Sequence, residues 1–283
     1  MTTQPDQPSR PVVVKIGGST LGAHDTSLRD IADARRAGHT IVVVHGGGAA
    51  ISAWLERAGV KAKFVRGLRT TSAEALEIVV ATLAGLVNKQ LVAELGALGA
   101  PAIGISGADS MILQAQRYDE ELEFVGKIHR VNPYPIEELL RLGYVPVIAP
   151  IAVEANEGQQ AQLLNTNADT AAGELAAALG ARLLVFLTDV DGVLDARRKL
   201  IDELSVEDAR DAIDSGIAAG GMIPKLEANF HGRLAVARGK RHCAGYPDVV
   251  RSRAGVALHV HRLREGHPVR QRVERLLLRL RRL

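Results

Sequence analysis

The sequence predicts an α/β protein built on a doubly wound, mainly parallel sheet. Three observations predict it. Aliphatic, β-branched runs recur without polar alternation at Val12–Ile16, Ile41–Val44, Val145–Ala149 and Leu183–Leu187, as expected of strands covered on both faces. The first two runs end directly in glycine, at Gly17–Gly18 and Gly46–Gly48, and helical periodicity resumes after each, giving successive strand–turn–helix units. Finally, 47% of the 283 residues are hydrophobic, enough for one large domain or two smaller ones with a substantial core.

In order along the chain, residues Met1–Pro11 read as a polar leader without an apolar signal core. Lys15 closes the first strand, and Gly17 and Gly18 let the chain turn and bring bare amides near a ligand. Leu28–Ala37 reads as a helix ended by Gly38. After the second strand and its glycines, Ile51, Trp54, Leu55 and Ala58 fall at helical spacing, with Trp54 expected in the core and Gly59 as the stop. The polar segment Lys61–Thr71 carries Arg66, Gly67, Leu68 and Arg69. Thr71 to Glu74 reads as a capping box, with Thr71 as the cap, before a long helix whose apolar side holds Leu76, Val79, Leu83, Leu86, Val87 and Leu91.

Pro101–Ser106 is a third strand. Met111–Gln116 and Glu123–Ile128 read as a hairpin around the acidic turn Asp119–Glu121, Ile136–Leu142 as a helix, and Val145–Ala149 as a core strand. A polar stretch, Ala155–Gln162, leads to the small-residue helix Thr170–Leu179. Leu183–Leu187 is a further strand and Val206–Ser215 a further helix. A lobe boundary is expected near Gly180.

Composition excludes several classes. No apolar run approaches the roughly 20 residues of a bilayer span, and the single cysteine, Cys243, allows no intramolecular disulfide. Both fit a cytoplasmic protein. The net charge of +3 gathers after about Phe230; such a basic end can bind nucleic acid, but a solvated surface is the expected reading. There is no GxxxxGK[ST] loop, no GxGxxG, no CxxC, no HExxH and no nucleophile elbow. Nine histidines lack ligand spacing, so no protein-bound transition metal is expected. His45 reads as a structural histidine at a strand end.

What remains is a set of glycine turns, lysines at turn positions (Lys15 and Lys225) and the segment Asn165-Thr-Asn-Ala-Asp169. That set suits phosphoryl transfer, where catalysis is mainly positioning plus cations and amides on the equatorial oxygens. A carboxylate acceptor is already ionised at neutral pH and needs no general base; the difficulty is repulsion between two anions, which flanking lysines and glycine amides would relieve.

Eight segments in order — VVVKIGG, VVVHGGG, RGLR, SGADS, GYVPVIAP, NTNADTAAGELAAAL, LTDVDGVLD and GGMIPK — resemble the N-acetylglutamate kinases of the amino acid kinase superfamily, over roughly Val12 to Asn229. The resemblance implies a three-layer αβα sandwich around a central, mainly parallel sheet, with an acceptor lobe over residues 12–180 and a nucleotide lobe over 181–283. It implies ATP-dependent phosphorylation of the γ-carboxylate of N-acetyl-L-glutamate, the second step of arginine biosynthesis. Lys15 and Lys225 would stabilise the transferring phosphoryl group, Gly18 would offer it an amide, and Asp169 would hold the two lysines. Gly46 and Gly47 would bind the acceptor through backbone amides, Arg69 would pair with its α-carboxylate, and Asn165 would hydrogen-bond it. Asp189, Val190, Asp191, Gly192, Val193 and Leu194, with Ile217, Ala218 and Ala219, would line the nucleotide site. Mg2+ would arrive with ATP rather than in a protein cage.

Plainer roles stand beside these. Asp169 could be only a dipole-favouring acid at a helix start, and Arg69 and Lys225 ordinary surface cations. A sister kinase for another carboxylate, such as aspartate or carrier-bound aminoadipate, and a non-catalytic sensor are the competing functions. After about Asn229 the sequence departs from the resemblance, as a reading-frame change or as a divergent terminus that folds equivalently. Arginine-inhibited members of the resembled family carry an additional N-terminal helix, so under the resemblance the short leader implies a homodimer with weak or no arginine feedback. Neither a membrane nor nucleic acid is expected as a partner.

Overall fold

The computed structural model describes residues 10–17, 26–155, 160–188, 203–204, 206–216, 234–238 and 256–262. The central strands are β1 (Val12–Ile16), β2 (Ile41–His45), β5 (Ala102–Ser106), β8 (Val145–Ala149), β11 (Leu183–Thr188), β12 (Glu203–Leu204), β13 (Leu234–Arg238) and β14 (Val256–Arg262). They form one sheet in the order β12–β13–β14–β11–β1–β2–β8–β5. Every pairing in it is parallel except β12 with β13. Two of these strands, β13 and β14, come from the arginine-rich end. The remainder of that end lies outside the described residues, as does the choice between a frame change and a divergent terminus.

Burial on both faces explains the unbroken aliphatic runs, and the period of two sorts their side chains. Val13, Val42, Val44, Ile148, Leu184 and Phe186 share one core. It contains Ala171, Ala172, Leu175 and Ala176 of α6 (Ala168–Ala178), whose small residues let the helix lie close to the sheet. Val12, Val14, Ile16, Ile41 and Val43 join the opposite core. They meet Leu28 and Ile31 of α1 (Ser27–Arg36), and Leu91 and Leu95 of α4 (Asn88–Ala97). Helices on both faces of a mainly parallel sheet make the expected three-layer sandwich.

One long helical run, Ala73–Ala97, is composed of α3 (Ala73–Val80), a π-helical turn over Ala81–Val87, and α4. It is long and apolar enough to cross a membrane by length and composition. Yet Leu76, Val79, Leu83, Val87, Leu91 and Leu95 are buried within the protein. Leu86 is 39% exposed, contrary to the expectation from α-helical spacing, because a π turn takes up more residues than an α turn and shifts the phase.

Over the carboxyl edge of the sheet sits a smaller sheet, β10–β9–β6–β7, made of β6 (Leu113–Arg117), β7 (Gly126–Val131), β9 (Ile151–Glu154) and β10 (Gln162–Asn165). The hairpin arms start two to three residues later than the pattern suggested, because Asp109–Met111 forms a 3-10 turn ahead of the first arm and Glu123, at a positive φ of 56°, still belongs to the turn ahead of the second. Strand β9 was not anticipated at all. It continues an apolar run broken only by Pro150.

Two further expectations fail. Trp54 is 43% exposed with the Arg57 guanidinium 5.0 Å from its ring centroid. Ile51 and Leu55 alone carry the buried stripe of α2 (Gly48–Arg57). The cap of α3 is Ser72, whose Oγ accepts from Ala75 N at 3.2 Å, not Thr71, which is wholly buried and bonded elsewhere. The TSAE pattern read one residue early because both Thr71 and Ser72 can cap.

Candidate active site

Lys15 follows Val13 by two positions, so its side chain leaves β1 on the face that α6 covers. The first turn of α6 carries Asp169, and Lys15 Nζ lies 2.8 Å from Asp169 Oδ1, with the side chains 10% and 9% exposed. Asn167 presents that acid: its side chain caps α6, accepting from Asp169 N at 2.8 Å and from Thr170 N at 3.1 Å. The helix therefore begins at Ala168, two residues ahead of the predicted start, and Asn167 is a site-building residue that the sequence reading left without a role. The N-cap preference of asparagine ahead of an alanine-rich run was the available signal.

The second glycine turn joins β2 to α2. Gly46 N donates to Ile16 O at 2.9 Å, so the amide expected to serve a ligand is committed to the strand beside it. Gly47 is the N-cap residue of α2 and supplies no side-chain cap. The amides of the first helical turn are thus left to a ligand or solvent, with the positive end of the helix dipole behind them. A β-carbon at Gly47 would come within 2.5 Å of Leu83 Cδ2 on the π turn, which explains why the position takes no side chain.

Arg69 is carried to this turn by a two-stranded ribbon, β3 (Phe64–Val65) and β4 (Leu68–Arg69). Arg66 and Gly67 both have positive φ, 50° and 78°, the geometry of a type I′ hairpin turn. Opposite Phe64 in register, Arg69 stacks on that ring at 4.7 Å. Its Nη2 donates to Ser52 Oγ at 2.8 Å and Gly48 O at 3.2 Å. Nη1 is shielded from solvent and has no hydrogen-bond partner among the described residues, an unmet donor that a carboxylate would satisfy. Partial burial lowers the pKa of this guanidinium. Arg66, at the turn, pairs with Asp119 and, at 3.6 Å, with Glu121, tying the ribbon to the acidic loop between β6 and β7.

Thr71 links Arg69 to Asn165. Its hydroxyl donates to Arg69 O at 3.2 Å and accepts from Asn165 Nδ2 at 3.0 Å. Its backbone N donates to Leu122 O and its carbonyl accepts from Phe124 N. Asn165 N in turn donates to Phe124 O. The described part of the predicted site thus closes as a ring of contacts: Asp169 to Lys15, Ile16 to Gly46, Gly48 to Arg69, Thr71 to Asn165, and two residues on, Asn167 back to Asp169. Gly18, Asp189 to Leu194, Ile217 to Ala219, and Lys225 lie outside the described residues.

His45 is fully buried at the end of β2. Its Nδ1 lies 2.9 Å from Gly46 O and its Nε2 3.2 Å from Asn88 Nδ2. Burial, with smaller contributions from Lys15 and Lys89, brings its pKa down to about 4 against an opposing bond to Gly46. The ring is neutral at physiological pH and adds no cation to the site.

Such an arrangement holds one cation beside bare amides at the carboxyl edge of a parallel sheet, where α/β proteins keep their ligands, with a second cation across the glycine turn. That suits an anion with charge at two ends.

Residues 10–233 match the amino acid kinase family. The acetylglutamate kinase of Rhodospirillum centenum is 44% identical over 234 residues, 77% of this chain and 75% of that one. The acetylglutamate kinase of Methanopyrus kandleri is 44% identical over 239 residues, 81% of this chain and 92% of that one. Among solved structures, smu.665 from Streptococcus mutans superposes with a TM-score of 0.69 at 30% identity, covering 78% of this chain and 89% of that one.

Proposed function

The chain belongs to the amino acid kinase family, and we propose that it transfers the γ-phosphoryl group of ATP to the side-chain carboxylate of N-acetyl-L-glutamate, the acetylglutamate kinase step of arginine biosynthesis. The enzyme class and the acceptor follow from relatives at 44% identity that bear that name. The observation that carries the chemistry is the buried Lys15–Asp169 pair beside the Gly46–Gly48 turn. An acyl phosphate forms when an ionised carboxylate attacks phosphorus, so the chain has no proton to remove and needs no base. It must instead hold two anions together.

In this reading Lys15 neutralises the equatorial oxygens, and Asp169 fixes its ammonium in place instead of acting as a base. Gly47 N–H and the first turn of α2 receive the reacting carboxylate. Arg69 and Asn165 receive the α-carboxylate end, so the acceptor is gripped at both ends and its reacting oxygen is aimed. Lys225 and Gly18 complete the phosphoryl side. Asp189, Val190, Asp191, Gly192, Val193, Leu194, Ile217, Ala218 and Ala219 hold the nucleotide, in a lobe beginning near residue 181. Mg2+ enters with ATP and supplies charge neutralisation at its phosphates. The assembly is a homodimer in the cytoplasm.

The test is ADP release with N-acetyl-L-glutamate, aspartate, N-acetylaspartate and an aminoadipate-carrying protein as acceptors. ADP release with N-acetylglutamate alone is the expected outcome. Preference for another carboxylate makes this a sister kinase, and nucleotide binding without turnover makes it a sensor.

A further inference from the structure

We propose that His45 and Asn88 are positioning residues for phosphoryl transfer: together they set the direction of the Gly46–Gly47 peptide so that its N–H faces the reacting carboxylate. The inference rests on the acetylglutamate kinase reading above and assigns a task to two buried polar residues which that reading does not use.

Position two residues beyond Val43 sends the His45 side chain to the face covered by α4, away from Lys15. Asn88 opens α4 directly after the π turn, and it is wholly buried. Its Nδ2 donates to Val147 O at 2.9 Å and to Ile105 O at 3.3 Å. Backbone carbonyls only accept, so they fix which end of the amide carries the hydrogens. At the other end, Oδ1 accepts from Lys89 Nζ at 3.1 Å, and Lys89 Nζ is itself anchored on Gly104 O at 2.8 Å. A side chain at Gly104 would overlap the Asn88 amide, so β5 is shaped to admit it.

The tautomer of His45 follows. Gly46 O can only accept, so the ring proton resides on the Nδ1 beside it, and Nε2 stays bare against the donor amide of Asn88. That proton goes to Gly46 O, 2.9 Å away. The neutral ring state described above is what this pairing requires. With Gly46 O drawn toward the ring, the Gly47 N–H of the same trans peptide points the opposite way. The Gly46 N–H is already spent on Ile16 O, so the Gly47 N–H is the amide of this pair left for a ligand.

Two substitutions and one measurement test this. His45→Asn places an amide nitrogen near the position of Nδ1 and keeps the bond to Gly46 O; His45→Gln carries its amide out to the position of Nε2 and loses that bond. Expected are a KM for N-acetylglutamate raised at least about tenfold in His45→Gln with the KM for ATP within about twofold, and both constants within about threefold of the parent in His45→Asn. An unchanged acceptor KM in His45→Gln, or acceptor and ATP constants rising together in both variants, overturns the proposal. If either variant does not fold, 15N NMR of the imidazole in the unsubstituted protein decides: a neutral, Nδ1-protonated ring is expected, and an Nε2-protonated ring overturns it. ADP release by the unsubstituted enzyme on N-acetylglutamate is measured first; its absence rejects the kinase reading and the proposal with it, whereas its presence leaves the variants to test the proposal alone.

Discussion

Lys15 and Asp169 are 154 positions apart in the chain and 2.8 Å apart in the fold, with both side chains about nine-tenths buried. Burying one charge without the other is costly, so the pair is held as a unit, and it is held where a strand ends and a helix begins. Lys15→Ala is expected to lower kcat by at least about a hundredfold with the KM for ATP within about threefold, since the lost cation acts mainly on the transition state. It should also destabilise the fold by about 3 kcal/mol, because the buried Asp169 carboxylate loses the ammonium 2.8 Å from it. Steady-state kinetics and urea unfolding check the two effects. Equal losses in kcat and ATP affinity would remove Lys15 from its assigned task.

Arg69 is braced by Ser52, Gly48 and Phe64, so its planar fork is aimed before substrate arrives. Arg69→Lys keeps the charge but loses the fork and the ring contact, and the KM for N-acetylglutamate should rise roughly tenfold or more with kcat less affected. Arg69→Ala should be worse by a similar factor. A lysine variant with the parent KM would mean that charge alone is read.

Thr71 joins the Arg69 backbone to the Asn165 side chain through one hydroxyl. Thr71→Val preserves shape and removes the bond, leaving Asn165 to reorient. The expected result is a several-fold higher acceptor KM and a loss of about 1–2 kcal/mol of stability, with Thr71→Ser restoring most of both. Substrate titrations and thermal unfolding of the two variants make the comparison.

His45 makes stability depend on pH. It titrates at about 4 in the folded chain against 6.5 for an ordinary histidine. Between these values the unfolded chain binds the additional proton, so the contribution is fully present above the unfolded pKa and is lost as pH falls through the window. Moving from about pH 7 to about pH 5 should cost about 2 kcal/mol of unfolding free energy, a difference that His45→Asn should largely abolish. The same slope in parent and variant would assign the acid sensitivity to other groups.

Much of the site was legible because its residues lie at the ends of elements that the chain announces locally. Val12–Ile16 and Ile41–His45 declare themselves by β-branching, and the glycines behind them mark the turns. Three residues were misread where two local rules competed. Thr71 and Ser72 both satisfy capping preferences, and tertiary bonds to Asn165 claimed the first. Trp54 has helical spacing but sits at the margin of the buried stripe, where Arg57 covers it. Leu86 belongs to a π turn, whose phase no α-helical periodicity describes.

By itself the sequence determined the strands buried on both faces, the glycine turns after the first two, and which charged residues stand at the sheet's carboxyl edge, because these follow from side-chain shape and spacing of two or 3.6. Only the tertiary structure decided which of those residues meet. Lys15 and Asp169 pair because β1 lies at the centre of the sheet with α6 across one face. His45 meets Asn88 because α4, which Asn88 opens, packs across the other. The Gly46 amide is consumed by Ile16 because β1 and β2 are neighbours in parallel register. Partnership across a fold depends on strand order and helix phase, and neither is stored in any local stretch of the chain.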